Sequence, residues 1–134
     1  MNNILVTGGA GFIGSHISTL LLERDYQITI FDSLINSSAK SINKIKELAY
    51  QKNKKSLNKI KFIKGDLRDL ESIKSIFTLA KLDKNPFDGV IHLAGLKSVS
   101  ESLENPLIYW DSNLKGAINL LKVMDDFNCK KIIF

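Results

Sequence analysis

The amino-acid sequence predicts an α/β fold, in which helices cover both faces of a doubly wound parallel sheet. Short runs rich in Ile, Val and Leu alternate along the chain with longer segments whose apolar residues recur at helical spacing. The first of these runs leads directly into a cluster of glycines. Apolar strands that alternate with helices are typical of parallel sheets buried on both faces. The right-handed crossover rule then favours five strands in the order 3-2-1-4-5.

Five apolar runs predict the strands: "NILVT", "QITIFD", "KIKFIKGD", "DGVIHLAG" and "KKIIF". The fifth run stops at Phe134, so we expect a strand that is cut short and one incomplete domain over residues 1–134. Helical spacing predicts helices in "FIGSHISTLLLERD", in residues 41–52 and in "DLESIKSIFTLAK". Asn105 and Pro106 then predict the cap and first turn of a long helix that continues to Phe127. Its apolar stripe is predicted to pack and comprises Leu107, Trp110, Leu114, Ala117, Ile118, Leu121 and Met124.

Charge and composition exclude several functional classes. The chain of 134 residues carries a net charge of +5, but nine lysines and one glutamate fall within residues 40–64, a stretch without arginine. A solvated helix and loop is therefore favoured over a nucleic-acid-binding face. No run approaches the length of a membrane span and the N-terminus lacks a signal pattern, so we expect no membrane and a cytoplasmic location. Cys129 has no His or Cys partner close in sequence, so no metal site is expected.

The glycine cluster "TGGAGFIG" predicts a site for a dinucleotide. Gly8, Gly11 and Gly14 form G-x-x-G-x-x-G, and Gly9 also completes G-x-G-x-x-G. Between a strand and a helix, such glycines allow a tight turn and let the backbone approach a pyrophosphate at the helix N-terminus. A turn that needs glycine only for its conformation would not require three glycines in phase.

Two aspartates extend this predicted site. Asp32 closes the second strand 18 residues after Gly14, near the spacing of a carboxylate that accepts hydrogen bonds from adenosine ribose hydroxyls. Such an anion repels a 2′-phosphate and no arginine follows in the loop, so NAD is favoured over NADP. The alternative is an aspartate that merely ends a strand. Asp66 follows the third strand and can accept from an adenine amino group, while Asp69 is the better candidate for a helix cap.

Four segments together resemble the amino-terminal half of UDP-glucose 4-epimerases, in the extended short-chain dehydrogenase/reductase superfamily with its Rossmann-like fold. They are "TGGAGFIGSH", "FDSLINSS", "GDLRD" and "IHLAGLKSVSESLENPLIYWDSN". The first is specific only to the superfamily, whereas "HLAGLK" followed by "ES" and "NP" is more specific. The resemblance implies an NAD-dependent interconversion of UDP-glucose and UDP-galactose by transient oxidation at C4.

The resemblance also implies which residues contact the cofactor and the sugar. NAD would be bound by Gly8, Gly11, Phe12, Ile13, Gly14, Asp32, Ser33, Leu34, Ile35, Asn36, Ser37, Asp66, Leu67, Leu93, Ala94, Gly95, Leu96, Lys97 and Ser112. Lys97, Ser98 and Val99 would approach the nicotinamide and the sugar. The family pattern often has two adjacent asparagines where this sequence has Ser112 and Asn113. Because serine is shorter than asparagine, we expect the direct cofactor contact at Ser112 to be lost or to be mediated by a water.

The residues for proton transfer are not found in the sequence. The family uses a Tyr-x-x-x-Lys pair. Only Tyr50, followed by Lys54, matches this spacing, and it precedes the fourth strand within the lysine-rich helix, so we assign no catalytic residue. His16 and His92 are interpreted as structural.

Three hypotheses remain from the sequence. The first is the NAD-binding part of a UDP-glucose 4-epimerase, which would act on a UDP-sugar and form a homodimer in the full-length protein. The second is a stand-alone NAD-binding or regulatory module without turnover. The third is another sugar-nucleotide dehydratase or reductase of the same superfamily.

Overall fold

The computed structural model describes residues 2–134, but of residues 54 and 55 only the backbone. Over this range the chain forms one parallel sheet whose five strands are β1 (Asn3–Thr7), β2 (Gln27–Asp32), β3 (Ile60–Lys64), β4 (Gly89–His92) and β5 (Ile132–Ile133). Their order is β3-β2-β1-β4-β5. The predicted fold class and strand order are therefore confirmed. The central strand, β1, pairs with both β2 and β4.

The helices are α1 (Phe12–Glu23), α2 (Ala39–Lys52), α3 (Leu70–Leu82), α4 (Val99–Glu104), α5 (Pro106–Tyr109) and α6 (Gly116–Asp126). A 3-10 turn (Lys54–Lys59) connects α2 to β3, and a π-helical turn (Trp110–Lys115) joins α5 to α6. Asp69 caps α3, because its carboxylate accepts from the N–H groups of Glu71 and Ser72, as predicted.

The sheet separates two apolar cores. Successive residues of a strand point to opposite faces, so Phe31 belongs to one core and Ile28 and Ile30 to the other. The first core includes buried residues of α3 and α6, and the second includes those of α1 and α2. Burial on both faces explains why the strands consist largely of apolar residues.

The long C-terminal helix differs from its prediction in two ways. The chain is helical from Pro106 to Asp126, but the π-helical turn interrupts it, and Asn105 precedes it without a side-chain capping hydrogen bond. The face that packs on the sheet contains Leu120, Val123 and Met124.

Most of the stripe predicted to pack is instead exposed. Its exposed members are Leu107, Trp110, Leu114, Ile118 and Leu121, and Trp110 is 63% exposed. The helix therefore carries two apolar faces, and spacing alone does not distinguish the one that covers the sheet. We define the exposed five residues as the outer stripe.

Helix α4 was not expected from the sequence. It begins after Ser98, whose hydroxyl accepts from the N–H of Glu101, and ends before Asn105. Among the helices of residues 2–134, none is long and apolar enough to cross a membrane.

His92 is held inside the sheet next to the central strand. Its Nδ1 lies 2.6 Å from Oγ1 of Thr7, and both residues are buried. Burial lowers the pKa of His92, because a charged imidazolium would lose its hydration there. The predicted structural role of His92 agrees with this position.

We expect the free energy of unfolding to fall as the pH drops below about 6.5, the ordinary pKa of histidine. The unfolded chain then binds a proton that folded His92 resists, so stability present above this pH is lost with a limiting slope of about 1.4 kcal/mol per pH unit. Urea unfolding between neutral and mildly acidic pH measures the slope. His92→Asn should remove this component, and the exposed His16→Gln should keep it. An equal slope in the wild type and His92→Asn would contradict the assignment.

Candidate functional site

A groove runs along the carboxyl ends of the strands, where the loops after β1, β2, β3 and β4 meet. Ligands of open parallel sheets bind at this edge. The residues that line it are Gly8, Gly11, Phe12, Phe31, Asp32, Ser33, Ile35, Asn36, Gly65, Asp66, Leu67, Leu93, Ala94, Gly95, Leu96, Lys97 and Ser112. The structure therefore brings most of the predicted site residues together in one groove.

The turn after β1 is compact because two of its glycines lie directly against backbone atoms, where a side chain would not fit. Gly8 has a φ of +69°, and a Cβ there would lie 2.5 Å from the backbone N of Ala94. A Cβ on Gly14, in the first turn of α1, would lie 2.3 Å from the carbonyl oxygen of Gly8. These glycines let α1 start directly above the end of β1.

Gly11 differs from these two glycines. It precedes α1 in an extended conformation, and a Cβ there would contact only the carbonyl oxygen of Gly8, at 3.3 Å. Gly11 therefore keeps the surface of the groove bare at the start of α1. The first N–H groups of a helix have no intrahelical acceptor, so they are available to an anion at this point.

The carboxylate of Asp32 connects two of the loops. One oxygen accepts from the N–H of Ala10 at 2.9 Å, and the other accepts from the N–H of Leu34 at 2.9 Å and the hydroxyl of Ser37 at 2.8 Å. Asp32 is only 7% exposed. An ionised carboxylate has about four acceptor positions, so this network leaves room for one further donor from the groove.

The loop after β3 is fixed by Arg68 and Asn119. The guanidinium of Arg68 donates from Nε and Nη2 to the carboxylate of Asp66, with a shortest distance of 2.6 Å. These hydrogen bonds lower the pKa of Asp66, which stays ionised. The buried amide of Asn119 donates to the carbonyl oxygens of Leu67 and Arg68. Helix α6 thus holds this loop directly.

The loop after β4 is held by side chains of the C-terminal helical segment. The amide of Asn113 accepts from the N–H of Leu96 at 2.8 Å and donates to its carbonyl oxygen at 2.9 Å. The N–H of Ser98 donates to the hydroxyl of Tyr109 at 3.0 Å, and that hydroxyl donates to Glu101 at 2.8 Å. Lys97 lies between the two held residues and is exposed.

The charges of the lining show which groups can attract an anion. Among the lining residues in the described part of the chain, Asp32 and Asp66 are acidic and Lys97 is basic. The side chains therefore contribute more negative than positive charge. A diphosphate would have to be attracted mainly by backbone N–H groups and the positive end of α1.

Several predicted site residues lie beside the groove without lining it. They are Ile13, Gly14, Leu34, Ser37, Ser98 and Val99. Gly14 lies beneath the turn, Leu34 packs against the second core, Ser37 donates to Asp32 and Ser98 caps α4. Ile13 and Val99 are exposed side chains.

Sequence reasoning missed Phe31 and Gly65, which also line the groove. A Cβ on Gly65 would lie 2.3 Å from the ring of Phe31, so the glycine makes space for the ring. The sequence feature that could have indicated this part of the groove is Gly65 itself, a glycine that directly precedes Asp66 at the end of a predicted strand.

We expect unequal losses of stability from two alanine substitutions in the glycine turn. Gly14→Ala forces a methyl group against backbone and should lower the free energy of unfolding by about 3 kcal/mol or more. Gly11→Ala has an allowed φ and should stay within about 1 kcal/mol of the wild type, while its methyl group narrows the groove. Thermal and urea unfolding compare the two variants. Equal stabilities would contradict the role of Gly14.

Comparisons with known proteins identify relatives over nearly the whole chain. Residues 5–134 match the family model described as GDP-mannose 4,6 dehydratase. UDP-glucose 4-epimerase 2 of Arabidopsis thaliana is 44% identical over 132 residues, which are 98% of this chain and 35% of that protein.

Solved structures of UDP-glucose 4-epimerases also match this chain. UDP-glucose 4-epimerase from Stenotrophomonas maltophila, with bound NAD and formylated UDP-arabinopyranose, superposes with a TM-score of 0.87 at 36% identity, over 100% of this chain and 36% of that one. The enzyme from Bifidobacterium longum, in complex with NAD+ and UDP, has a TM-score of 0.85 at 38% identity, over 99% of this chain and 36% of that one.

The chain spans about 35% of the length of the relatives it matches. The match over residues 5–134 and the superposition on solved epimerases agree with the glycine turn and the strand order described above. The chain therefore belongs to the family described as GDP-mannose 4,6 dehydratase and, within it, corresponds to the amino-terminal region of the UDP-glucose 4-epimerases.

Proposed function

We propose that this chain is the NAD-binding part of a UDP-glucose 4-epimerase. The observation that carries the proposal is the joining of the glycine turn to the loop after β2 by the Asp32 carboxylate, at the edge where β1 to β4 end. The geometry fits a dinucleotide, since Gly8 allows the tight turn and Gly11 leaves the backbone bare at the N-terminus of α1. Two solved relatives that align with the whole groove are described with NAD bound.

We propose a place for each part of the cofactor from the order of the strands. The loops after β3 and β4 lie at opposite ends of the groove, on either side of the glycine turn. We assign the adenine to Asp66 and Leu67, the adenosine ribose to Asp32 and the loop after it, and the pyrophosphate to the glycine turn. The nicotinamide falls to the loop after β4, residues 93–97.

The whole protein is proposed to interconvert UDP-glucose and UDP-galactose. Bound NAD would supply a hydride acceptor and donor at C4 of the sugar. Lys97 is exposed and is the basic residue among the described residues that line the groove, and Ser98 and Val99 follow it along the chain. Its ammonium group can stabilise phosphate or hydroxyl oxygens of the sugar nucleotide.

The proton-transfer pair is proposed to lie outside residues 1–134. Tyr50 has the required lysine spacing, but it lies on α2, which contributes no residue to the groove lining over the described part of the chain. The side chain of Lys54 lies outside the described residues. Tyr109 is close to the loop after β4, but the fourth residue after it is Asn113.

We expect the chain to bind NAD more tightly than NADP, by about tenfold or more, because Asp32 would face the 2′-phosphate with a like charge. Asp32→Ala should weaken NAD binding and remove this preference. Isothermal titration calorimetry measures both affinities. Asp69→Ala is the matched control, because it removes a carboxylate that accepts two backbone N–H groups away from the groove. Equal affinities for NAD and NADP, or unchanged NAD binding in Asp32→Ala, would contradict the assignment.

The same chain, supplied with NAD and UDP-glucose, should form no UDP-galactose. Chromatographic separation of the two UDP-sugars tests this expectation. The separate measurement of NAD binding shows whether the protein is folded and competent. Measurable interconversion would show that the catalytic groups are present within the 134 residues, against the proposal.

The outer stripe is proposed as the surface through which the whole protein pairs with a second copy. Its five large apolar side chains are exposed along one helical segment. We expect Trp110→Lys combined with Leu114→Lys to reduce self-association in sedimentation velocity experiments. Leu79→Lys, at an exposed apolar position on α3, is the matched control. A wild-type chain that stays monomeric at every concentration reached would argue against this surface.

A further inference from the structure

Arg68 contacts both carboxylate oxygens of Asp66. Oδ1 accepts from the backbone N–H of Arg68 at 2.9 Å and from its Nε at 3.0 Å. Oδ2 accepts from Nη2 at 2.6 Å and also lies 3.1 Å from Nε. The planar guanidinium faces the carboxylate as a fork, which fixes the plane of the carboxylate as well as its position.

These contacts use most of the acceptor capacity of Asp66. An ionised carboxylate has about four acceptor positions. Arg68 occupies both positions on Oδ1 and at least one on Oδ2. Because Asp66 lines the groove, the capacity that remains on Oδ2 is available to a donor on a bound ligand.

Arg68 is itself held by the helical segment that follows β4. Its Nη1 lies 3.4 Å from Asp111 in the π-helical turn, and Asp111 lies 3.2 Å from Lys115. The amide of Asn119, on α6, donates to the carbonyl oxygen of Arg68 at 3.2 Å. Both the side chain and the backbone of Arg68 are therefore bound from outside its own loop.

The charges around Asp66 come from three parts of the fold. Arg68 lies on its own loop, Asp111 and Lys115 lie on the π-helical turn, and Asp32 lines the same groove at the end of β2. The hydrogen bond from Arg68 has the largest effect on the pKa of Asp66, which it lowers, while burial raises this pKa. The charges of Arg68 and Lys115 lower it further. Without the guanidinium, Asp66 would be a partly buried carboxylate that takes up a proton more readily.

The state of Asp66 decides which base can be bound beside it. The proposed function places adenine there, and the 6-amino group of adenine donates hydrogen bonds. Hypoxanthine has the same purine ring but carries an oxygen at this position, which only accepts. A carboxylate without a proton bonds the first group and repels the second, whereas a protonated carboxyl could donate to the oxygen.

We propose that Arg68 sets the base selectivity of the groove, as the positioning residue that holds Asp66 as an acceptor for a 6-amino purine and against a 6-oxo purine. The proposal rests on the proposed function, because it takes this end of the groove as the adenine site. Arg68 acts through Asp66, since among the described residues it lies outside the groove lining.

The experiment measures the affinity of the chain for NAD and for nicotinamide hypoxanthine dinucleotide by isothermal titration calorimetry. The two ligands differ at the 6-position of the purine. The wild type should bind NAD more tightly by about tenfold or more, because the 6-oxo group would face a charged acceptor without a donor. This ratio should be equal at about pH 7.5 and about pH 5, because Arg68 keeps the proton off Asp66.

Two substitutions of Arg68 separate its charge from its shape. Arg68→Met keeps a long side chain but removes the guanidinium, so the ratio should fall to about threefold or less near neutral pH. It should fall further at about pH 5, where a protonated Asp66 donates to the 6-oxo group. Arg68→Lys keeps the charge without the fork, so the ratio should be lower than in the wild type but independent of pH.

The matched control is Arg24→Met. Arg24 is the other arginine of the sequence, and it is exposed at the end of α1 that lies away from the glycine turn. This variant should keep the wild-type ratio at both pH values. Asp66→Asn tests the same idea if Arg68→Met does not fold, because an amide has both a donor and an acceptor. Its ratio should approach one at either pH.

The possible outcomes separate this proposal from the proposed function. A wild-type chain that binds neither dinucleotide refutes the NAD site and this proposal with it. A wild-type chain that binds both dinucleotides equally well leaves the NAD site in place and refutes the selectivity. Substitutions of Arg68 that weaken both affinities equally, or that leave both unchanged, keep the wild-type ratio and refute the role of Arg68.

Discussion

The buried carboxylate of Asp32 is the interaction on which the groove depends. It accepts hydrogen bonds from the glycine turn and from the loop after β2, so two segments that are distant in sequence share one anion. Without this acceptor, the N–H groups of Ala10 and Leu34 would lose partners that buried donors require. The residue expected from the sequence to contact a ribose is therefore also the residue that shapes the site.

A diphosphate in the groove would be bound by backbone N–H groups and not by basic side chains. Its lining contains two carboxylates and one lysine, while the lysine-rich stretch of the chain follows Ser38 on α2 and the turn after it. Helix N-termini attract anions through N–H groups that do not titrate. The positive net charge of the chain is thus a property of another surface, as its distribution along the sequence indicated.

The sheet and most of the groove could be predicted from the sequence because their signals are local. Apolar runs define buried strands, and strand order follows from crossover geometry once helices alternate with strands. The packed face of α6 could not be predicted, because the segment has two apolar faces and the π-helical turn changes the phase between them. Asn113 and Tyr109 were missed as loop-holding residues, since their partners are backbone groups 17 and 11 residues away, which leave no mark in the sequence.

The central position of β1 has a consequence for how the protein folds. Asn3 donates its N–H to Asp88, 85 residues later, and Thr7 meets His92 at the same separation. During synthesis, β1 can pair with β2 early, but its other edge stays open until β4 has left the ribosome. Such distant pairing slows folding and exposes apolar edges in the meantime. The first strand of the site is therefore completed only after the fourth strand along the chain has been made.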